Sequence, residues 1–122
     1  MTTYRLDLPY TRPPLTENQR LTWAPKARIT KQVRATTAWL ARAAHIPTVD
    51  YCTVTLYWAP SKRRIRDTEN PTPTLKACAD GIVDAGVVKD DDPQYMGKEL
   101  PVILEPRTPP AMWLEIITEG QG

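Results

Sequence analysis

The sequence has no phenylalanine, one histidine, two cysteines and only five glycines in 122 residues. With His45 alone, a histidine-based catalytic triad has little support, and a helix-end charge interaction suffices for that residue. There is no CxxC pair, so no structural zinc site is supported. Cys52 and Cys78 stand far apart with no export signal before them, which points to reduced thiols serving as small core hydrophobes. No apolar run is long enough to span a bilayer, and Met1-Thr2-Thr3-Tyr4 does not begin a secretion signal. A soluble, cytoplasmic protein with no membrane contact is expected. The length supports one domain, residues 1–122, with a thin core that dimerisation would reinforce.

Neither sign of charge dominates, since the net charge is only +2, but the charges are segregated. From Arg12 to Arg34 there are six basic side chains and one acid, Glu17. Lys62, Arg63, Arg64 and Arg66 form a second basic run. The acids gather at Asp67 and Glu69 and again at Asp90, Asp91 and Asp92. Basic surfaces beside a compact acidic cluster suit a polyanion partner and a cation site.

Proline is abundant, 13 residues, and it punctuates the chain. Thr3–Leu8 alternates as a first strand ended by Pro9. Residues 10–29, broken by Pro13, Pro14 and Pro25, read as a long loop or basic arm. Thr30 is placed to cap a helix to about Ala44, with Val33, Thr37, Leu40 and Ala44 inward. Tyr51–Trp58 is the clearest strand. Thr72 is placed to cap the next helix, Pro73 to begin it and Gly86 to end it. Leu100–Leu104 reads as an edge strand and Ala111–Thr118 as the last, the two forming a hairpin. The fold class is therefore α+β: a small mixed sheet carrying two helices, in the order β-α-β-α-β-β. Trp39, Trp58 and Trp113 read as structural. Trp23, among Lys26, Arg28, Lys31 and Arg34, is placed either to stack on a base or to nest on the core.

The chemistry centres on Arg66-Asp67-Thr68-Glu69-Asn70. In an extended backbone Asp67 and Glu69 point to one side. Their mutual repulsion is relieved by a divalent cation, and oxygen ligands select magnesium, with manganese as a substitute. The helix that follows returns the chain so that Asp91, with Asp90 beside it, can join the pair. Such a site polarises a phosphodiester and activates water. Lys76, early in the helix and near its polar border, is the candidate for steadying the transition-state charge. Lys62, Arg63, Arg64 and Arg66, with Lys26, Arg28, Lys31 and Arg34, are the candidate phosphate contacts.

Residues 63–92, RRIRDTENPTPTLKACADGIVDAGVVKDDD, resemble the RusA family of Holliday junction resolvases. The resemblance rests on a basic run, a carboxylate pair followed by asparagine, a helix with Lys76, Ala77, Asp80 and Ile82, then Ala85-Gly86 and Asp90-Asp91. Glu69 stands where the best-known pattern has aspartate. The resemblance implies a homodimeric, magnesium-dependent endodeoxyribonuclease of bacteriophage or prophage origin, acting in a bacterial cytoplasm in DNA recombination and repair. Its substrate would be the four-way DNA junction, nicked symmetrically in opposed strands. It implies Asp67, Glu69, Lys76 and Asp91 as catalytic residues, with Asp67, Glu69, Asp91 and Asp90 on the metal. The rival expectations are a non-cleaving branched-DNA-binding protein, a general flap or branched-DNA nuclease, and a phage interaction protein.

Overall fold

The alternation that begins at the N-terminus builds strand β1, Thr2–Leu8, with Leu6 and Leu8 buried and Arg5 and Asp7 exposed. The computed structural model describes residues 1–62 and 70–121; Arg63, Arg64, Arg66, Asp67 and Glu69 lie outside the described residues. Helix α1 (Trp23–Ala43), strand β2 (Val49–Ala59), helix α2 (Thr72–Asp84) and strands β3 (Met96–Lys98), β4 (Val102–Ile103) and β5 (Ala111–Gln121) follow.

These strands form one mixed sheet in the order β1-β5-β2-β3. β5 is antiparallel to both β1 and β2, with Leu114 opposite Leu6 on one side and Leu56 on the other. β3 and β4 run parallel to the remaining edge of β2, end to end. A parallel neighbour requires a crossover, and α2 supplies it between β2 and β3. Leu6, Cys52, Val54, Leu56, Leu114 and Ile116 on one sheet face meet Val33 and Ala41 of α1 and Leu75, Cys78 and Ile82 of α2. The fold is thus a two-layer α+β domain, as the sequence pattern predicts. Both thiols are free and buried, and burial pushes each up to about 11. No helix among the described residues is long and apolar enough to cross a membrane.

Four expectations need correction. The helix expected from Thr30 begins at Trp23, so the irregular segment ends near Thr22. Pro25 does not stop it, because the first turn needs no backbone donor there. β4 pairs with β2 and not with β5, so there is no hairpin. Asn70, not Thr72, closes the start of α2: its Oδ1 accepts from the Thr72 amide at 3.0 Å and the Thr72 hydroxyl at 2.7 Å. Trp39 is exposed rather than structural, whereas Trp58 is buried and donates to the Thr11 carbonyl.

Both helices end in the same lock. At α2, the Gly86 amide donates to Val83 and the Val87 amide to Ile82, with Gly86 at φ +82°. At α1, the His45 amide donates to Arg42 and the Ile46 amide to Ala41, and His45 adopts φ 55° in glycine's place. Between the helices, a Cβ added to Gly81 would lie 2.5 Å from the Arg34 carbonyl oxygen and 2.8 Å from the Thr37 Cβ. At Gly81, then, α2 lies against the backbone of α1 with no room for a side chain.

Candidate functional site

The segment after α2 is fixed by its own backbone. The Gly86 lock turns the chain, Val87 and Val88 are buried, and the Val87 carbonyl accepts from Val49 at the start of β2. Asp90 Oδ1 then accepts from the Asp91 amide at 2.7 Å, and Asp92 Oδ1 accepts from the Gln94 amide at 3.0 Å. Two of the three consecutive acids therefore shape the loop. The third, Asp91, points back at α2.

Asp91 Oδ2 accepts from Lys76 Nζ at 2.5 Å and from Lys98 Nζ at 3.0 Å. Lys98 also donates to the Asp91 carbonyl, and Lys76 donates to Asp80 Oδ1 one turn further along α2. The cluster draws on α2, the loop after it and the end of β3. The hydrogen bond from Lys76, then that from Lys98, hold the Asp91 carboxyl well below the usual carboxylate range. Lys76 is raised in turn, chiefly by Asp91. Asp91 is only 20% exposed while Lys76 is 57% exposed, so the carboxylate is sheltered and the ammonium faces outward.

Both lysines take the same oxygen, and Asp91 Oδ1 accepts no hydrogen bond from a described group. Asp91 is thus a sheltered, ionised carboxylate. That donor chemistry fits a hard divalent cation. Among the described residues no three potential ligands converge, so Asp91 would need partners from elsewhere in the chain. Asp67 and Glu69 are the sequence's candidates, and they fall outside the described residues. Asn70, which follows them, is held at the start of α2, six residues before Lys76.

The basic candidates divide into groups. Lys26, Lys31 and Arg34 lie on α1 along one groove, and Arg28 is exposed but does not line it. Arg34 grips Asp84 with two bonds, Nε to Oδ2 at 2.5 Å and Nη2 to Oδ1 at 2.8 Å. This raises the Arg34 guanidinium and lowers the Asp84 carboxyl. Lys62 is exposed just beyond β2. Lys98 was missed by sequence reasoning, since a lone lysine after Gly97 carries no signal of its own.

The irregular segment before α1 is anchored beside this region rather than free. Thr74, fully buried on α2, accepts from the Leu15 amide at 3.1 Å and donates to the Leu15 carbonyl at 2.7 Å. The Glu17 amide donates to the Asn70 carbonyl. Compared with known proteins, the chain matches no family model and no curated protein.

Proposed function

We propose that the protein is a magnesium-dependent endodeoxyribonuclease of the RusA type, acting on branched DNA and above all on four-way junctions. The observation that carries this reading is the contact of Lys76 with Asp91. A sheltered, ionised carboxylate stands beside an exposed lysine, on the helix that follows Asp67 and Glu69 in the chain. Asp67, Glu69 and Asp91, with Asp90 adjacent, would hold magnesium or manganese. When bound, such an ion supplies Lewis acidity toward a phosphodiester.

The chain's own groups have separate tasks. Lys98 keeps Asp91 ionised and aimed. Lys76 turns from Asp91 toward the scissile phosphate and offsets the charge that grows on its oxygens. Lys62, Arg63, Arg64, Arg66, Lys26, Arg28 and Lys31 grip neighbouring phosphates, and Arg34 contributes what Asp84 leaves of its charge. Two copies related by a two-fold axis would match the two-fold relation of opposed strands in a junction.

A second reading is favoured by the commitment of both lysines to Asp91: a branched-DNA-binding protein in which the cluster only staples the loop to α2. One experiment separates the two. Wild type, Asp67→Asn and Lys76→Ala are given a synthetic four-way junction with magnesium or manganese, and binding and nicking are scored separately. The nuclease reading expects all three to bind and only the wild type to nick efficiently. Absence of nicking by pure wild type with either ion sinks it in favour of the binding protein. Competition with flap, nicked and linear duplexes tests the preference for junctions.

A further inference from the structure

The groove on α1 contains an unusual pairing of surfaces. Trp23 opens the helix with 81% of its area exposed. Lys26, Ala27, Lys31 and Arg34 continue from it at helical spacing and, with Asp84, line a groove of about 730 Å³. Arg34 and Asp84 neutralise each other. Lys26 and Lys31 have no carboxylate partner among the described residues, so the groove keeps a positive balance beside an open indole face.

The groove also leads somewhere. Asp84 lies one helical turn beyond Asp80, and Asp80 shares Lys76 with Asp91. The stripe from Trp23 to Arg34 is roughly 17 Å long at the helical rise, room for a few stacked nucleotides at about 3.4 Å each. An exposed aromatic face flanked by ammonium groups is complementary to a base and its neighbouring phosphates. A fully paired duplex hides its base faces, so only unpaired nucleotides can use the indole.

We propose that this groove holds unpaired nucleotides of a DNA strand, with Trp23 stacked on a base and Lys26 and Lys31 on the flanking phosphates. The inference rests on the DNA-binding part of the reading above. It narrows the substrate to branched DNA, four-way junctions included, in which nucleotides near the cut are unpaired when bound.

The test is fluorescence anisotropy with a labelled thymidine oligonucleotide and a blunt duplex, in magnesium-free buffer. Wild type, Trp23→Ala and Trp23→Phe are compared, with thermal unfolding as a check on folding. Trp23→Ala should lose roughly tenfold or more in affinity for the oligonucleotide, the effect of one lost base–aromatic stack. Trp23→Phe should keep most of that affinity, and duplex binding should be unchanged in both. Unaltered oligonucleotide binding by Trp23→Ala, or an equal loss on duplex, overturns the proposal. If that happens while the wild type nicks junctions, only this proposal fails. Binding through Trp23 without nicking leaves it standing and removes the nuclease. A wild type that binds neither DNA overturns this proposal and leaves the nuclease reading to the junction assay.

Discussion

Lys76 and Asp91 are fifteen residues apart in the chain, and their side chains meet at 2.5 Å. The return is made by the Gly86 turn and the buried pair Val87 and Val88, so a packing feature delivers the charged contact. Asp91 ties three pieces of structure together through two ammonium groups. The same contact would serve catalysis and stability, and the two can be measured apart.

Acid should expose the stability part. The Asp91 carboxyl is lowered in the folded chain by Lys76 and Lys98, and Asp84 is lowered by Arg34. Below the ordinary carboxylate value the unfolded chain binds protons that the folded chain refuses, so stability falls as pH falls. The contribution is complete above about pH 4 and is lost toward the lower folded-state values. Thermal unfolding followed from pH 7 down to about pH 2 should show a shallower acid loss in Asp91→Asn than in wild type. Near neutral pH that variant should be less stable by about 1–2 kcal/mol. Parallel acid curves would contradict the assignment.

Thr74→Val should cost about 2 kcal/mol in urea unfolding. It keeps the volume but leaves the amide and carbonyl of buried Leu15 without their partner. Faster hydrogen exchange at the Leu15 amide should accompany the loss, because that amide would no longer be held against α2. A change within experimental error would mean that the anchor is dispensable.

Gly81→Ala pits two effects against each other. Alanine gains about 0.5–1 kcal/mol of helix propensity, yet its methyl would meet the backbone of α1 at Arg34. Backbone cannot swing aside as a flexible side chain can, and overpacking costs about 1–3 kcal/mol. A net destabilisation of about 1–2 kcal/mol is expected. A rise in melting temperature would show that the helices separate easily.

His45→Gly should move the other way. The left-handed conformation that costs an L-residue about 1–2 kcal/mol is free to glycine, offset in part by glycine's greater entropy when unfolded. Calorimetry at neutral pH should find a gain of about 0.5–1 kcal/mol. A loss would show that the imidazole makes a stronger contribution than its backbone penalty.

The two-layer plan was legible because β2 and α2 carry dense, regular patterns: Cys52, Val54 and Leu56 alternate, and Leu75, Cys78 and Ile82 recur at helical spacing. The first turn of α1 was not, since Pro25 reads as a breaker unless its place in the turn is already known. Met96-Gly97-Lys98 is too short to show any period, and it becomes a strand only because β2 offers it an edge. For the site, Lys76 and Asp91 were legible as chemistry at a plausible spacing. Lys98 was not, because its partner is chosen by the parallel register against Val54, a long-range fact. Nor could spacing separate the three consecutive acids: Asp90 and Asp92 each accept from a nearby backbone amide, while Asp91 faces α2.

β5 fills the middle of the sheet although every other element precedes it in the chain. Thr118 donates to the carbonyl of Thr2, 116 residues upstream. During synthesis β1 therefore waits without a neighbour while both helices emerge, and closing so large a span is slow even though its entropic cost grows only logarithmically. A nascent chain stopped at residue 110 would own both helices, a solitary β1 and a β2 paired only with β3 and β4, with the apolar rows of Leu6 and Leu56 left without the strand that joins them.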